Sequence, residues 1–257
     1  MLTNLELVEQ TEVALQSPRS RRRTFTPPST VSAILHRTLD FSVALMMSVA
    51  ALPIVVLAAI AVKLTSRGPA FYTQTRTGRN GKHFTIYKLR SMVDKCESLT
   101  GPRWTIPGDP RVTPVGWFLR RSHIDELPQL LNVLMGEMSL IGPRPERPEF
   151  VSELSNAIPD YDSRHDVLPG ITGLAQVQFA ADSDIESVRR KLQYDLYYID
   201  HGSLWLDFRI LIATALHMCG MSYESLAGLG IVPGPDMVEK PRALPFHEEA
   251  PAHQQAA

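Results

Sequence analysis

From Phe41 to Val62 the chain runs about 22 residues without a charge, enough helix at ~1.5 Å per residue to cross a hydrocarbon core of ~30 Å. A buried core helix is the soluble alternative. Two features set the run apart from a simple span. Pro53 lies near its centre, where it breaks or kinks a helix. Positive charge marks the cytoplasmic side of a span, and here both flanks carry it: Arg19, Arg21, Arg22, Arg23 and Arg37 before the run, Lys63, Arg67 and Arg76 after it. The pattern predicts a re-entrant helix–break–helix over 31–66, entering and leaving by one face. Its broken backbone requires burial by protein or access to water.

Beyond Gly68-Pro69 the periodicity shortens. Ala70 to Gln74 and Phe84 to Arg90 read as strands of a hairpin, with Asn80-Gly81 at the turn. Val115 to Arg121 is a short amphipathic helix with Trp117 and Phe118, suited to core or membrane interface. Leu127, Leu130, Leu131, Leu134 and Met138 form one apolar stripe at helical spacing, predicting a central helix that ends near Gly142. Pro128 must then lie in its first turn. Further helices are predicted over Glu149 to Asn156 and Asp184 to Ile199, and the apolar Leu204 to Met221 suits an interfacial or core helix. The fold class is α+β, mainly helical with a small hairpin. The organisation is an arm over 1–30, the membrane helix over 31–66, a catalytic domain over 67–224 and a disordered tail over 225–257.

Composition removes alternatives. A net charge of −1 over 257 residues does not suggest a nucleic-acid binder, and Cys96 and Cys219 are too few for a disulfide or zinc framework. Both read as free thiols of a reducing compartment. The basic run at Arg21 to Arg23, beside an apolar segment, suits anionic lipid head groups. It also loosely resembles a twin-arginine export signal with Ala59-Ile60-Ala61 as a cleavage pattern, but Pro27-Pro28 and Asp40 separate the two parts.

Candidate chemistry gathers at Asp125-Glu126, behind Arg120, Arg121 and His123 and at the predicted helix start, where free N–H groups favour negative charge. The plain reading is an N-cap with a solvated neighbour. The functional one is a nucleophile and a metal ligand beside an anion site. Prolines on both sides of Arg144 fix where its guanidinium points. Gln74, Arg76, Arg79, Lys82, Lys88 and Arg90 make a basic strip, either a solvated face or a phosphate-binding surface.

In order and spacing these pieces resemble the bacterial sugar transferase family, the monotopic polyprenyl-phosphate phosphoglycosyl transferases, over about Leu35 to Met221. The marks are Arg37-Thr38-Leu39-Asp40-Phe41, Pro53, Gln74-Thr75-Arg76-Thr77-Gly78, Tyr87 through Met92, Arg120 through Pro128, Ser139 through Pro145, Pro169 through Gly173, and Asp195-Leu196-Tyr197-Tyr198. The resemblance is to the minimal catalytic form. It implies transfer of a hexose 1-phosphate from a nucleotide diphosphate sugar, commonly a UDP-sugar, to polyprenyl phosphate at the cytoplasmic face of the bacterial inner membrane. Asp125 would be the nucleophile, Glu126 would help hold Mg2+, and Lys88, Arg90, Arg120, Arg144 and Asp195 would serve the phosphates. Whether a homo-oligomer forms is left open. The sequence departs from the family pattern at Val177-Gln178-Phe179-Ala180, where a glycine and an arginine are frequent, and at Leu168, where a basic residue is frequent. The departure raises four expectations: a different donor, weaker donor binding, recruitment of another arginine such as Arg164, or a catalytically degenerate member that scaffolds polysaccharide assembly.

Overall fold

In the computed structural model, residues 29–98, 101–106, 108–180 and 184–239 are described. The basic run of the arm and the last eighteen residues lie outside them. Helix α1 (Thr30–Thr65) starts where the Ser29 hydroxyl accepts from the Ser32 N–H. It carries Pro53 inside one continuous helix, where the sequence predicts two halves. Proline removes a single i→i−4 bond, and packing on either side can hold the remaining turns together. That packing is visible. Ala44, Ala51, Ala58 and Val62 form a buried stripe of mostly small residues that lets the rest of the chain approach closely, while Met46, Val49, Leu57 and Leu64 are exposed on other faces.

Both halves of α1 meet the same body. In the first half, Arg37 donates to the carbonyls of Val133 (2.6 Å) and Leu134 (3.3 Å), and the Asp40 carboxylate accepts from the Leu140 N–H (3.1 Å). In the second, Ala58 and Val62 pack on Leu89 and Leu119. Length and hydropathy suit α1 to a membrane.

Strands β1 (Phe71–Thr77) and β2 (His83–Leu89) pair antiparallel, Phe71 opposite Leu89 and Thr77 opposite His83. Asn80 (φ 57°) and Gly81 (φ 72°) turn the hairpin as predicted. Helix α2 (Pro114–Arg121) is capped by Thr113, whose hydroxyl accepts from the Gly116 N–H at 2.9 Å. A Cβ on Gly116 would lie 1.8 Å from the Ser91 carbonyl oxygen, so only glycine lets α2 lie so close to the end of β2. Trp117 and Phe118 stay exposed while Leu119 is buried.

The central helix is shorter than its stripe predicts. His123 (φ 55°) enters a 3-10 segment, Ile124–Gln129, which hands over to α3 (Leu130–Met135), ended by Gly136 at φ 84°. Residues three apart face the same way in a 3-10 turn too, so the spacing alone does not separate the two helices. Met138 keeps its fully buried place after the helix has stopped. The Arg37 bonds fall on carbonyls of the last turn of α3, where Val133 O also accepts the Gly136 N–H at 3.0 Å.

Strand β3 (Ser139–Ile141) pairs in parallel with β4 (Gly170–Thr172), and between them lies α4 (Pro148–Ala157). Helices α5 (Ile185–His201) and α6 (Leu204–Met218) follow. The expected disorder from residue 225 does not hold as far as residue 239. Helices α7 (Tyr223–Gly228) and α8 (Pro235–Val238) form there, and Leu226 and Val232 sit in the main core with Met138, Leu140, Tyr194 and Ile210. Isolated apolar residues without periodicity can still fill a core. The divergent segment holds this tail: Gln178 Nε2 donates to the Pro233 carbonyl at 2.7 Å, and Phe179 meets the Tyr194 ring edge-on at 4.8 Å.

Candidate active site

Glu126 is the hub. From β2, Lys88 brings Nζ within 2.7 Å of Glu126 Oε1; from the Pro-Arg-Pro loop, Arg144 brings Nη2 within 2.6 Å of the same oxygen. Arg144 Nη1 donates to Gln176 Oε1 at 3.2 Å. Burial alone would raise the Glu126 carboxyl, but the charges and hydrogen bonds of Arg144 and Lys88 hold it well below the usual carboxylate range. Burial lowers the Lys88 ammonium, an effect that Glu126 opposes and Arg144 and Arg76 reinforce.

Asp125 is 6% exposed. Burial pushes its carboxyl up, the Glu126 charge adds to that, and Lys88, Arg120 and Arg144 pull it down. Two adjacent acids are thus split, one firmly ionised and one more readily protonated, the arrangement that assigns different tasks to chemically similar groups. Arg120 is aimed by Ser91, whose hydroxyl accepts from its Nε at 2.8 Å. Three cations therefore face two carboxylates. Asp125 and Glu126 lie in the first turn of a helical segment as expected, but the segment is 3-10, and the side-chain cations around it add to the field.

The loop that carries Arg144 is held at three successive carbonyls. Pro143 O accepts from the Gly170 N–H (2.9 Å), Arg144 O from Arg164 Nη2 (3.0 Å) and Pro145 O from Arg76 Nη1 (3.0 Å). Asp195 does not reach the carboxylates. It takes Arg164 Nη2 at 2.8 Å, while Arg164 Nη1 donates to the Tyr161 hydroxyl at 2.8 Å. Arg164 thus ties Asp195 and Tyr161 to the backbone of Arg144. Arg90 is also turned away: it closes the loop after α1 through the Ser66 hydroxyl (2.9 Å) and the carbonyls of Ser66 and Arg67. Pro53 is remote in role, a feature of α1.

Beside this cluster a small, partly open cleft lies between Arg144, Tyr161, Arg164, Gln176, Lys191 and Asp195. Sequence reasoning missed Tyr161, Gln176 and Gln129. Gln129 carried a signal, four residues after Asp125 and three after Glu126, which places it on their side of a helical segment. Tyr161 carried none. Among the described residues no group of three or more metal-type ligands occurs. Two adjacent carboxylates nevertheless fit Mg2+, which keeps several waters and takes one or two carboxylates plus substrate phosphates.

The sequence profile described as bacterial sugar transferase matches residues 31–221. The chain is 43% identical over 187 residues to a UDP-N-acetylgalactosamine-undecaprenyl-phosphate N-acetylgalactosaminephosphotransferase of Aeromonas hydrophila, covering 73% of this chain and 44% of that one. It thus spans less than half of that relative's length. A UDP-glucose:undecaprenyl-phosphate glucose-1-phosphate transferase of Caulobacter vibrioides is 43% identical over 191 residues, 73% of this chain and 70% of its own. An exopolysaccharide production protein of Rhizobium leguminosarum is 38% identical over 189 residues, 71% and 94% respectively.

Proposed function

The chain belongs to the bacterial sugar transferase family, and from that premise we propose that it transfers a sugar 1-phosphate from a UDP-sugar to undecaprenyl phosphate, releasing UMP. The observation that carries this reading is the buried Asp125 next to a Glu126 locked between Lys88 and Arg144. Both substrates are anionic, so a carboxylate can approach phosphorus only where cations absorb the repulsion. Asp125 attacks the sugar-side phosphorus, a phosphosugar–aspartyl mixed anhydride forms, and UMP leaves with the bridging oxygen. The phosphate oxygen of undecaprenyl phosphate then attacks the same phosphorus and frees Asp125. Arg144 and Arg120 orient phosphoryl oxygens by parallel N–H groups, and Lys88 supplies a point charge. Glu126 would help hold Mg2+, which would neutralise charge on the leaving group.

A lipid phosphate lies at head-group height, so the site must too. The proposed membrane arrangement is re-entrant, with α1 inserted from the cytoplasmic face and the exposed Trp117, Phe118, Trp205 and Phe208 in the interface. Its support is that both halves of α1 touch one domain and both flanks are basic. The scaffold reading predicts instead that no UDP-sugar is turned over.

The test is UMP release from a panel of UDP-sugars by the whole protein in nanodiscs with undecaprenyl phosphate and Mg2+. Release that depends on the lipid phosphate supports the reading. Release that persists in Asp125→Asn removes the assigned nucleophile.

A further inference from the structure

Behind the pair of cations that hold Glu126 lies a second, smaller cavity with about 10 Å³ of water-sized space, lined by Arg76, Lys88, Gln129 and Arg144 with Ile86 and Pro145 as apolar walls. Gln129 is 1% exposed, and its Nε2 has no hydrogen-bond partner. Arg76 Nε, from β1, is likewise buried and unpartnered, although Arg76 Nη1 is bonded to the Pro145 carbonyl (3.0 Å) and pairs with the Glu146 carboxylate (3.3 Å). A buried donor left unmade costs about 1–3 kcal/mol, so two facing one cavity call for a common acceptor. Three of the four polar side chains lining it are cations, and the fourth presents an N–H2.

We infer that this cavity is an oxyanion subsite, in which Gln129 Nε2 and Arg76 Nε take a phosphoryl oxygen of a bound substrate while Lys88 and Arg144 balance its charge. The inference rests on the phosphotransfer reading and adds two residues to it. The cavity admits an oxygen and not a whole phosphate group, which fits a substrate whose phosphorus stays on the Asp125 side. The oxygen can come from the diphosphate of the sugar nucleotide or from the lipid phosphate, since the chemistry is shared. A sealed pocket filled by one water is the structural rival, and it makes the opposite prediction for stability. If Gln129 serves a ligand, an apolar side chain of similar shape removes an unsatisfied donor from the free protein and costs it nothing. If Gln129 serves a resident water, the same change leaves that water and its other partners short of a bond.

The experiment uses the whole chain in detergent at fixed Mg2+, wild type against Gln129→Met, with Gln129→Glu as a second variant. Pyrophosphate and farnesyl phosphate are titrated separately, with thermal midpoints recorded in their absence. The expected result is an unchanged or higher midpoint for Gln129→Met, with about tenfold weaker binding of one of the two probes. Gln129→Glu weakens that probe further, because it places a carboxylate against an anion. The probe affected identifies the source of the oxygen. The inference is overturned if wild type binds neither probe, if Gln129→Met binds both as wild type does, or if its midpoint falls by more than about 4 °C. Should pyrophosphate binding depend on Gln129 while no sugar nucleotide is turned over, the reaction assigned above falls and the subsite stands. Turnover with Gln129→Met binding both probes normally removes the subsite alone.

Discussion

Arg164 donates to the main-chain carbonyl of Arg144 at 3.0 Å, so one arginine holds the backbone of another, and Asp195 at 2.8 Å holds the first. Arg164→Met and Asp195→Asn should therefore act through the same loop. Each is expected to lower kcat by about 10²-fold, the scale of a displacement near 1 Å at a reacting centre. The double variant should be scarcely worse than either single one, because the two act as one unit. Additive losses would show that Asp195 contacts substrate on its own account.

Asp125 carries a cost in the resting protein. Its folded pKa is raised, first by burial, so the ionised carboxylate opposes folding above both folded and unfolded values and the penalty disappears as pH falls. Asp125→Asn should abolish transfer yet raise the thermal midpoint at pH 7 by about 2–4 °C, as a gain near 1 kcal/mol would. The acid limb of the wild-type kcat/KM profile, which reports the free enzyme, should lie above the ordinary aspartate value of 3.8. Differential scanning calorimetry and a pH–rate series check the two halves.

Glu126 has the opposite linkage. Its folded pKa is depressed below the ordinary 4.5, so its contribution is present in full above that value and is lost as pH drops towards the folded pKa. Glu126→Gln leaves Lys88 and Arg144 without their counter-charge and should cost about 3 kcal/mol at neutral pH, near the lower end for a broken buried pair. The variant should also unfold with less dependence on pH below 4.5 than wild type does. An identical acid profile for the two proteins would contradict the linkage.

The membrane arrangement is open to direct labelling. With Cys96 and Cys219 replaced by alanine, single cysteines at Ser20→Cys and Lys82→Cys should both be shielded from an impermeant maleimide in intact cells. Both should react in inverted vesicles. Opposite accessibility would make α1 a simple span.

Much of this was legible in the chain, for identifiable reasons. The hairpin was readable because Asn80-Gly81 names its turn and alternation names its strands. The acid pair, Lys88, Arg120 and Arg144 were readable as a set and converge here. The end of the central helix was not, because the spacing of Leu127, Leu130 and Leu131 suits a 3-10 turn as well as an α-helix. Arg90 and Asp195 carried the right charge, yet their partners, Ser66 and Arg164, lie 24 and 31 residues away along the chain. Which contacts such groups make depends on tertiary neighbours that local pattern does not encode. The order of residues 225–239 was hidden for the same reason, since Leu226 and Val232 gain their value only from the hole they fill.

The bonds from Arg37 to Val133 and Leu134 have a consequence for how the protein comes of age. They place part of the hydrophobic anchor at the far end of the short helix that follows Asp125 and Glu126. A polypeptide still adrift in the cytosol, its anchor folded elsewhere or held by a chaperone, would lack that clasp and keep its acid pair loosely set. Docking at the bilayer would then do more than anchor the chain. It would also fix the far end of the helix that backs the acid pair.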